Sequence, residues 1–228
     1  SNYLGLAEHP AVTEAASDAL NQFGAGSGGS RLTTGTTDLH TQVERDFARF
    51  LGYDDAVFFS AGFMANAGVL QALAGSETLI LSDERNHASI IDGCRLAKAQ
   101  GATVRVYRHC DPAHVDELLR QHSGEAIVVT DGLFSMDGTL APVPELLTIC
   151  RARGAALMVD DAHGTGTLGA RGRGITEHFS LIDDHPDILV ATSSKALGVE
   201  GGAVATSAPV AALLLSLIHI SEPTRLGM

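Results

Sequence analysis

The chain has 228 residues, 45% of them hydrophobic, which suffices for one substantial core. Its formal net charge of −12 disfavours nucleic acid or an anionic membrane as a partner. No secretory signal pattern opens the sequence, and no apolar run approaches the roughly 20 residues of a membrane span. The three cysteines lie far apart and outside any CxxC pattern, which is typical of reduced cysteines in a cytoplasmic protein.

Short apolar runs alternate with amphipathic segments along almost the whole chain, which indicates an α/β fold. In chain order, the predicted elements are helix Pro10–Phe23, helix Leu39–Leu51, strand Ala56–Phe59, helix Phe63–Ala74, strand Thr78–Leu81, helix Ala88–Gln100, strand Thr103–Tyr107, helix Pro112–Gln121, strand Ala126–Thr130, helix Val143–Arg153, strands Ala155–Val159, Ile188–Thr192 and Gly202–Thr206, and helix Pro209–Leu215. Nearly continuous hydrophobic strands separated by helices favour a mostly parallel sheet with helices on both faces. Because only a short glycine turn precedes the last strand, we expect that strand to run antiparallel or to lie apart in the sheet.

Polar residues follow five of the predicted strands. These clusters are Ser60–Phe63, Ser82–His87, Asp131–Gly138, Asp160–His163 and Thr192–Lys195. In open α/β sheets, ligands bind beyond the carboxyl ends of the strands, where such loops meet. We therefore expect these five loops to form one binding site.

The pair Lys195 and Asp160 carries the clearest chemistry in these loops. Lys195 follows a predicted strand in a serine-rich turn, and a lysine there can form a Schiff base. Asp160 follows another predicted strand, where a carboxylate can pair with a protonated ring nitrogen. These are the two groups that a pyridoxal phosphate (PLP) enzyme needs. Taken alone, Asp160 is equally consistent with a helix N-cap.

Two histidines have candidate roles beside this pair. His163 comes three residues after Asp160 and could donate a hydrogen bond to a ring hydroxyl. His87 lies at a loop-to-helix junction, where its ring could stack on the face of a cofactor. A capping or packing role is the alternative for each.

Two glycine-containing segments are candidates for phosphate or substrate contacts. Gly62 and Phe63 begin a predicted helix directly after a strand, where free N–H groups and the helix dipole favour an anion. No GxxxxGK[ST] motif is present, which disfavours a nucleoside triphosphate site. The segment Gly24–Arg31 does not match GxGxxG, and it is either a flexible loop or a loop packed against substrate.

A metal-dependent hydrolase is the alternative enzyme class. Asp160, Asp161 and His163 could serve as ligands, since carboxylate and imidazole bind divalent metals. The sequence contains no HExxH motif, and this interpretation gives Lys195 no function. We therefore favour the PLP interpretation, with no metal.

The ordered motifs of the chain resemble those of the α-oxoamine synthases, PLP-dependent enzymes with the aspartate-aminotransferase fold (PLP fold type I). The motifs that carry the resemblance are Asn2–Leu6, Gly26–Gly35, Ser60–Phe63, Asn86–Ser89, Phe134–Gly138, Asp160–Gly166 and Ser194–Gly198. The resemblance implies a homodimer in the full-length enzyme. It also implies a large domain that is truncated at both ends, with the small C-terminal domain absent.

The resemblance assigns each matching residue a role in binding cofactor or substrate. It implies that Lys195 bonds the cofactor and later acts as base, Asp160 pairs with the ring nitrogen, and His163 and Ser135 contact the ring-oxygen side. It also implies that His87 stacks on the ring and acts in catalysis with Lys195, Asp160 and His163. The remaining residues are implied to hold the phosphate (Gly62, Phe63 and Thr192) and to face the substrate amino acid (Asn2).

Two runs favour one branch of this family, which joins L-alanine to a pimeloyl thioester in biotin biosynthesis. They are Gly26–Gly35 and Phe134–Gly138, and they imply pimeloyl-CoA or a pimeloyl carrier protein as acyl donor. Glycine C-acetyltransferase, 5-aminolevulinate synthase and serine palmitoyltransferase share the lysine, aspartate and histidines, so a sister activity stays open. An inactive fragment is the further alternative for the chain as given.

Both ends of the sequence depart from the pattern between them. The chain begins abruptly inside the motif Asn2–Leu6, and residues 216–228 resemble the translation of a sequencing adapter. We therefore expect an N-terminal segment over residues 1–30, a PLP-binding large domain over 31–215 and a non-native tail over 216–228.

Overall fold

The computed structural model describes residues 1–181 and 183–221, arranged as alternating helices and strands. Its helices are α1 (Pro10–Phe23), α2 (Asp38–Leu51), α3 (Gly62–Leu73), α4 (Ala88–Ala99), α5 (Pro112–Arg120), α6 (Val143–Arg153), α7 (Ile175–His178) and α8 (Ala208–Ser221). Its strands are β1 (Asp55–Phe59), β2 (Leu79–Asp83), β3 (Thr103–Tyr107), β4 (Ala126–Asp131), β5 (Ala156–Asp160), β6 (Ile188–Thr192) and β7 (Gly202–Thr206). Every strand and every helix except α7 was predicted from the sequence.

The strands form one 7-stranded sheet in the order β1-β7-β6-β5-β4-β2-β3. Strands β3, β2, β4, β5 and β6 pair in parallel, whereas β7 is antiparallel to both β6 and β1. The predicted mostly parallel sheet and the antiparallel last strand are both confirmed. Since β1 and β6 run the same way, the carboxyl ends of all strands except β7 lie at one edge of the sheet.

Side chains alternate between two hydrophobic cores, one on each face of the sheet. On β5, Leu157 and Val159 pack in the core beneath α2, α5 and α6. Met158 packs in the other core, beneath α3, α4 and α8. The same alternation directs Asp160, two residues after Met158, toward the face that carries α3 and α4. Helix α1 contributes no buried residue to either core.

The structure extends three strands and one helix beyond their predicted ends. Strands β2, β4 and β5 each continue to an aspartate, because the parallel ladder pairs these residues with a neighbouring strand. Helix α8 continues past the predicted end at Leu215 to Ser221. The single helical turn α7 has no sequence signal of its own. The N–H of its first residue, Ile175, donates a hydrogen bond to the Asp161 carboxylate. The non-native tail was predicted over residues 216–228; residues 216–221 continue α8, and residues 222–228 lie outside the described residues.

Two predictions drawn from composition can be compared with the structure. Among the helices within residues 1–181 and 183–221, none has the length and apolarity that crossing a membrane requires. Cys94, Cys110 and Cys150 are free thiols, as predicted. Burial raises the pKa of the Cys150 thiol to about 12, so this side chain packs as a neutral group.

Candidate active site

A cavity of ≈ 210 Å³ opens at the edge of the sheet where the parallel strands end. It lies on the side of α3 and α4, between the N-terminus of α3, the N-terminus of α4 and the loops after β4, β5 and β6. Its lining combines a lysine, two carboxyl groups, two imidazoles, three hydroxyls and one carboxamide with backbone. The lining residues are Ala61, Gly62, Phe63, Asn66, His87, Ser89, Asp131, Asp160, Ala162, His163, Thr192, Ser194 and Lys195.

Asp160 is held by donors that leave part of its carboxylate facing the cavity. Its side chain is the last of β5, and the residue is only 7% exposed. Oδ2 accepts a hydrogen bond of 2.5 Å from Asn66 Nδ2, and Oδ1 accepts one of 2.9 Å from the Ala162 N–H. Each carboxylate oxygen has a further lone pair for a ligand. Asp160 is therefore a fixed acceptor for a cationic N–H group.

A second carboxyl group, that of Asp131, lies beside Asp160. Asp131 ends β4 and is paired in register with Asp160 on β5. Burial, followed by the nearby charge of Asp160, raises the pKa of Asp131 to about 8. A carboxyl group with a pKa of about 8 is mostly protonated near neutral pH, so Asp131 places a neutral carboxyl group beside Asp160.

Hydrogen bonds connect Asp160 to His87 through two buried side chains. Asn66 Nδ2 donates to Asp160 and also to Ser89 Oγ, at 2.9 Å. Ser89 Oγ lies 2.7 Å from His87 Nδ1, and the Ser89 N–H donates to the same nitrogen at 3.2 Å. Because Nδ1 accepts from Ser89, the proton of the neutral His87 ring lies on Nε2. The chain Asp160–Asn66–Ser89–His87 thus orients the imidazole over the cavity.

His163 forms the opposite side of the cavity and contacts the N-terminal segment. Its Nδ1 atom lies 2.8 Å from the hydroxyl of Tyr3. Burial is the main cause that lowers the pKa of His163, and the positive charge of Lys195 adds to it. His163 is therefore a neutral imidazole near pH 7, with Nε2 free for a ligand.

Lys195 sits in a turn whose backbone is fixed on several sides. The Ser193 N–H donates to Gly201 O at 2.9 Å, and the Val199 N–H donates to Ser193 O at 3.0 Å. The Lys195 carbonyl accepts from the Tyr3 N–H at 3.2 Å. The half-buried Lys195 side chain lines the cavity together with Asp160 and His163. A lysine held this way presents its amine at a defined position.

The other end of the cavity is built for an anion. Gly62 and Phe63 form the first turn of α3, whose N–H groups have no intrahelical acceptor. A Cβ atom at Gly62 would lie 3.2 Å from Thr192 Oγ1, so a side chain there would crowd this end. Thr192 Oγ1 lies 2.9 Å from Ser194 Oγ. Backbone N–H groups and hydroxyls thus converge at this end of the cavity.

Residues 1–222 match the aminotransferase class I and II family. The chain belongs to this family. It is 49% identical over 218 residues to 8-amino-7-oxononanoate synthase of Geobacter sulfurreducens, covering 95% of this chain and 55% of that protein.

Solved structures of the aminotransferase class I and II fold superpose closely on the chain. A serine palmitoyltransferase variant from S. paucimobilis with a bound PLP–myriocin aldimine matches with a TM-score of 0.87 and 35% identity, over 93% of this chain and 53% of that one. An 8-amino-7-oxononanoate synthase from Francisella tularensis matches with a TM-score of 0.80 and 32% identity, over 98% and 62%. The chain thus spans about half the length of these relatives.

The cavity includes seven of the nine residues predicted for the site, and two lie elsewhere. Ser135 is exposed in the loop after β4 and is not among the lining residues. Asn2 is exposed and accepts a hydrogen bond from the Ala7 N–H at 3.0 Å through Oδ1. Contacts of these two residues with cofactor or substrate stay predictions.

Asp161 faces away from the cavity although it follows Asp160 directly. It is fully buried, and its Oδ2 accepts hydrogen bonds from Thr165 Oγ1 at 2.9 Å and the Ile175 N–H at 3.1 Å. Burial raises the pKa of Asp161 to about 8. Asp161 therefore anchors the loop to α7, and the ligand set proposed for a metal hydrolase, Asp160, Asp161 and His163, does not converge.

A separate polar cluster joins the ends of β2 and β3. The buried Asp83 carboxylate accepts from the Arg85 N–H and the Cys110 N–H at 2.9 Å each, and it lies 2.9 Å from His109 Nδ1. Together Asp83, His109 and Cys110 have ligand atoms within 4.8 Å of one another. Protein donors thus occupy this carboxylate, and the cluster holds the two strand ends together.

The sequence analysis assigned no role to five residues in or beside the cavity. Four of them line the cavity: Asn66, Ser89, Asp131 and Ser194. Tyr3 does not line it but contacts His163, which does. Two of them had a usable signal: Asp131 follows Val129 by two residues on a strand, and Asn66 comes one helical turn after Gly62. For Tyr3, neither strand alternation nor helical spacing indicates a position beside the cavity.

The residues around the cavity fit pyridoxal phosphate. The cofactor needs an amine, an acceptor for its ring N–H, a donor for its ring oxygen and an anion site. Lys195, Asp160, His163 and the N-terminus of α3 supply these groups in one cavity. In addition, Asn66 lines the cavity, and its buried Oδ1 has no hydrogen-bond partner among residues 1–181 and 183–221, which leaves it available to a ligand.

Proposed function

We propose that this protein binds PLP and, at full length, catalyses the decarboxylative condensation of L-alanine with a pimeloyl thioester to 8-amino-7-oxononanoate. The observation that carries the proposal is the convergence of Lys195, Asp160, His163 and His87 on one cavity. The 49% identical relative from Geobacter sulfurreducens, an 8-amino-7-oxononanoate synthase, supports the choice of reaction. The sequence runs Gly26–Gly35 and Phe134–Gly138 support it as well.

Binding and orientation of the cofactor would use groups that are already in position. Lys195 would hold it covalently through Nζ, and the Asp160 carboxylate would accept from its ring N–H. His163 would donate to the ring oxygen from Nε2, while the imidazole of His87 would cover the ring face. Thr192 and the N–H groups of Gly62 and Phe63 would hold the phosphate.

Bound PLP supplies an electron sink for the carbanion that forms at the amino-acid Cα. The protein's contribution is to keep the ring protonated and to move one proton. Asp160 stabilises positive charge at the ring nitrogen, because an opposite charge nearby favours the charged form. Lys195 lines the same cavity, and its Nζ would take the proton from Cα.

The proposal extends to partners and location. The acyl donor would be pimeloyl-CoA or a pimeloyl carrier protein, and the full-length protein would form a homodimer in the cytoplasm. The free thiols of the three cysteines agree with a reducing compartment. Ser135 would approach the ring-oxygen side, and Asn2 the substrate amino acid, once cofactor and substrate are bound.

A substrate panel tests the reaction. The chain is extended with the remaining sequence of the Geobacter sulfurreducens relative and assayed with alanine, glycine and serine against pimeloyl, acetyl, succinyl and palmitoyl thioesters. We expect turnover with alanine and the pimeloyl thioester. Preference for glycine with an acetyl or succinyl thioester would move the protein to a sister activity, and preference for serine with a long acyl chain to serine palmitoyltransferase.

A further inference from the structure

Tyr3 links the loop of His163 to the loop of Lys195. Its hydroxyl lies 2.8 Å from His163 Nδ1, and its backbone N–H donates to the Lys195 carbonyl at 3.2 Å. The two contacts connect the loop after β5 with the loop after β6. Tyr3 and His163 are 160 residues apart in the sequence. Tyr3 lies within the matching motif Asn2–Leu6, but the motif gives no sign of its contact with His163.

The segment that carries Tyr3 is held in a defined conformation. Asn2 adopts a φ of 61°, and its Oδ1 accepts from the Ala7 N–H. The Gly5 N–H donates to Asn2 O at 3.0 Å, which closes the turn around Tyr3. At Gly198, with a φ of 71°, a Cβ atom would lie 2.8 Å from both Ala7 N and Asn2 Oδ1. The N-terminal turn therefore packs directly on the Lys195 loop.

We propose that Tyr3 is a positioning residue that fixes the tautomer of His163. The Tyr3 hydroxyl donates to Nδ1, which places the ring proton on Nε2, toward the cavity. The reverse arrangement, in which Nδ1–H donates to the tyrosine oxygen, would turn a lone pair toward a ligand oxygen.

The inference rests on the proposed function only for what Nε2 binds, namely the ring oxygen of PLP. A neutral imidazole with Nε2–H is a donor to that oxygen, whereas the other tautomer is not. The lowered pKa of His163, caused mainly by burial, agrees with a neutral ring. Through its hydroxyl and its backbone N–H together, Tyr3 couples the ring orientation of His163 to the backbone of Lys195.

Nitrogen NMR of the imidazoles reads the tautomer without cofactor or activity. In the unliganded chain we expect His163 as the Nε2–H form, and in Tyr3→Phe a mixture of both tautomers. Tyr53→Phe is the matched control: it removes another hydroxyl beside a histidine, His185, but that hydroxyl donates to Pro186 O at 2.9 Å. An unchanged His163 tautomer in Tyr3→Phe would overturn the proposal.

A double-mutant cycle with PLP adds a functional readout. Tyr3→Phe should weaken PLP binding about fivefold, the loss expected for one hydrogen bond of ordinary strength. In a His163→Ala background the same substitution should have no effect, because no imidazole remains to be oriented. Equal losses in both backgrounds would contradict the proposal. If the chain binds no PLP while NMR gives the expected tautomers, the proposed function fails and the role of Tyr3 stands.

Discussion

Asp131 and Asp160 end neighbouring parallel strands in register, and both carboxyl groups enter one cavity. Two carboxylates this close cannot both ionise freely, since like charges disfavour each other. Asn66 and the Ala162 N–H donate hydrogen bonds to Asp160, whereas burial and the charge of Asp160 raise the pKa of Asp131 to about 8. The pair thus provides one anion for a cationic ring nitrogen and one neutral carboxyl group beside it.

The pair predicts how stability depends on pH. With a pKa near 8 in the folded state and about 4 in the unfolded chain, Asp131 binds a proton only when folded across that interval. The unfolded state then binds fewer protons, so the free energy of unfolding falls as pH rises from about 4 to about 8, by up to about 1.4 kcal/mol per pH unit. Asp131→Asn should remove this contribution.

Urea unfolding at pH 5 and pH 8 checks the prediction. The stability of Asp131→Asn relative to the unmodified chain should be greater at pH 8 than at pH 5. Asp137→Asn is the matched control, because Asp137 is exposed in the next loop and hydrogen bonds from Thr139 lower its pKa. The same relative stability at both pH values would show that Asp131 is ionised in the folded protein.

Asp160→Asn should separate cofactor binding from cofactor activation. The amide retains the shape and part of the hydrogen bonding of the carboxylate but loses the charge that keeps the ring nitrogen protonated. We expect PLP binding to persist, while exchange of the Cα proton of L-alanine slows by about 100-fold or more. Hydrogen–deuterium exchange followed by NMR, in the chain extended to full length, measures this. Unchanged exchange would mean that Asp160 is only structural.

Asp161→Ala should lower the stability of the protein and leave its PLP affinity unchanged. It leaves the hydroxyl of Thr165 and the N–H of Ile175 without their acceptor, so we expect the free energy of unfolding to fall by roughly 2 kcal/mol. PLP affinity of the folded variant should stay close to that of the unmodified chain, because Asp161 does not line the cavity. A large loss of PLP affinity with unchanged stability would reverse the assignments of Asp160 and Asp161.

The sequence predicted the elements because their signals are local. Strand β6 was predicted with both bounds, since an apolar β-branched run ends there in polar residues. The last residues of β4 and β5 were missed, because Asp131 and Asp160 are strand residues only through pairing with neighbouring strands: with each other and, for Asp160, with Val190 on β6. The hydrophobicity pattern of the sequence does not show whether an aspartate after an apolar run is paired with a neighbouring strand.

The part of the site that was missed depends on contacts between distant segments. Asn66 meets Asp160 across 94 residues, and Tyr3 meets His163 across 160. Neither periodicity nor a motif relates such pairs, so they follow only from the packing of α3 and the N-terminal turn. Lys195, Asp160, His163 and His87 were found because each follows a strand end or begins a helix at the same edge.

The central claim is that Lys195 bonds PLP, and reductive trapping tests it most directly. The sequence contains only Lys98 and Lys195 as lysines, and the exposed Lys98 on α4 serves as an internal control. The chain is incubated with PLP, reduced with borohydride, digested and mapped by mass spectrometry. We predict a phosphopyridoxyl group on Lys195, an unchanged yield in Lys98→Ala and no specific label in Lys195→Ala. Undiminished labelling of Lys195→Ala, or modification of Lys98 alone, would contradict the account.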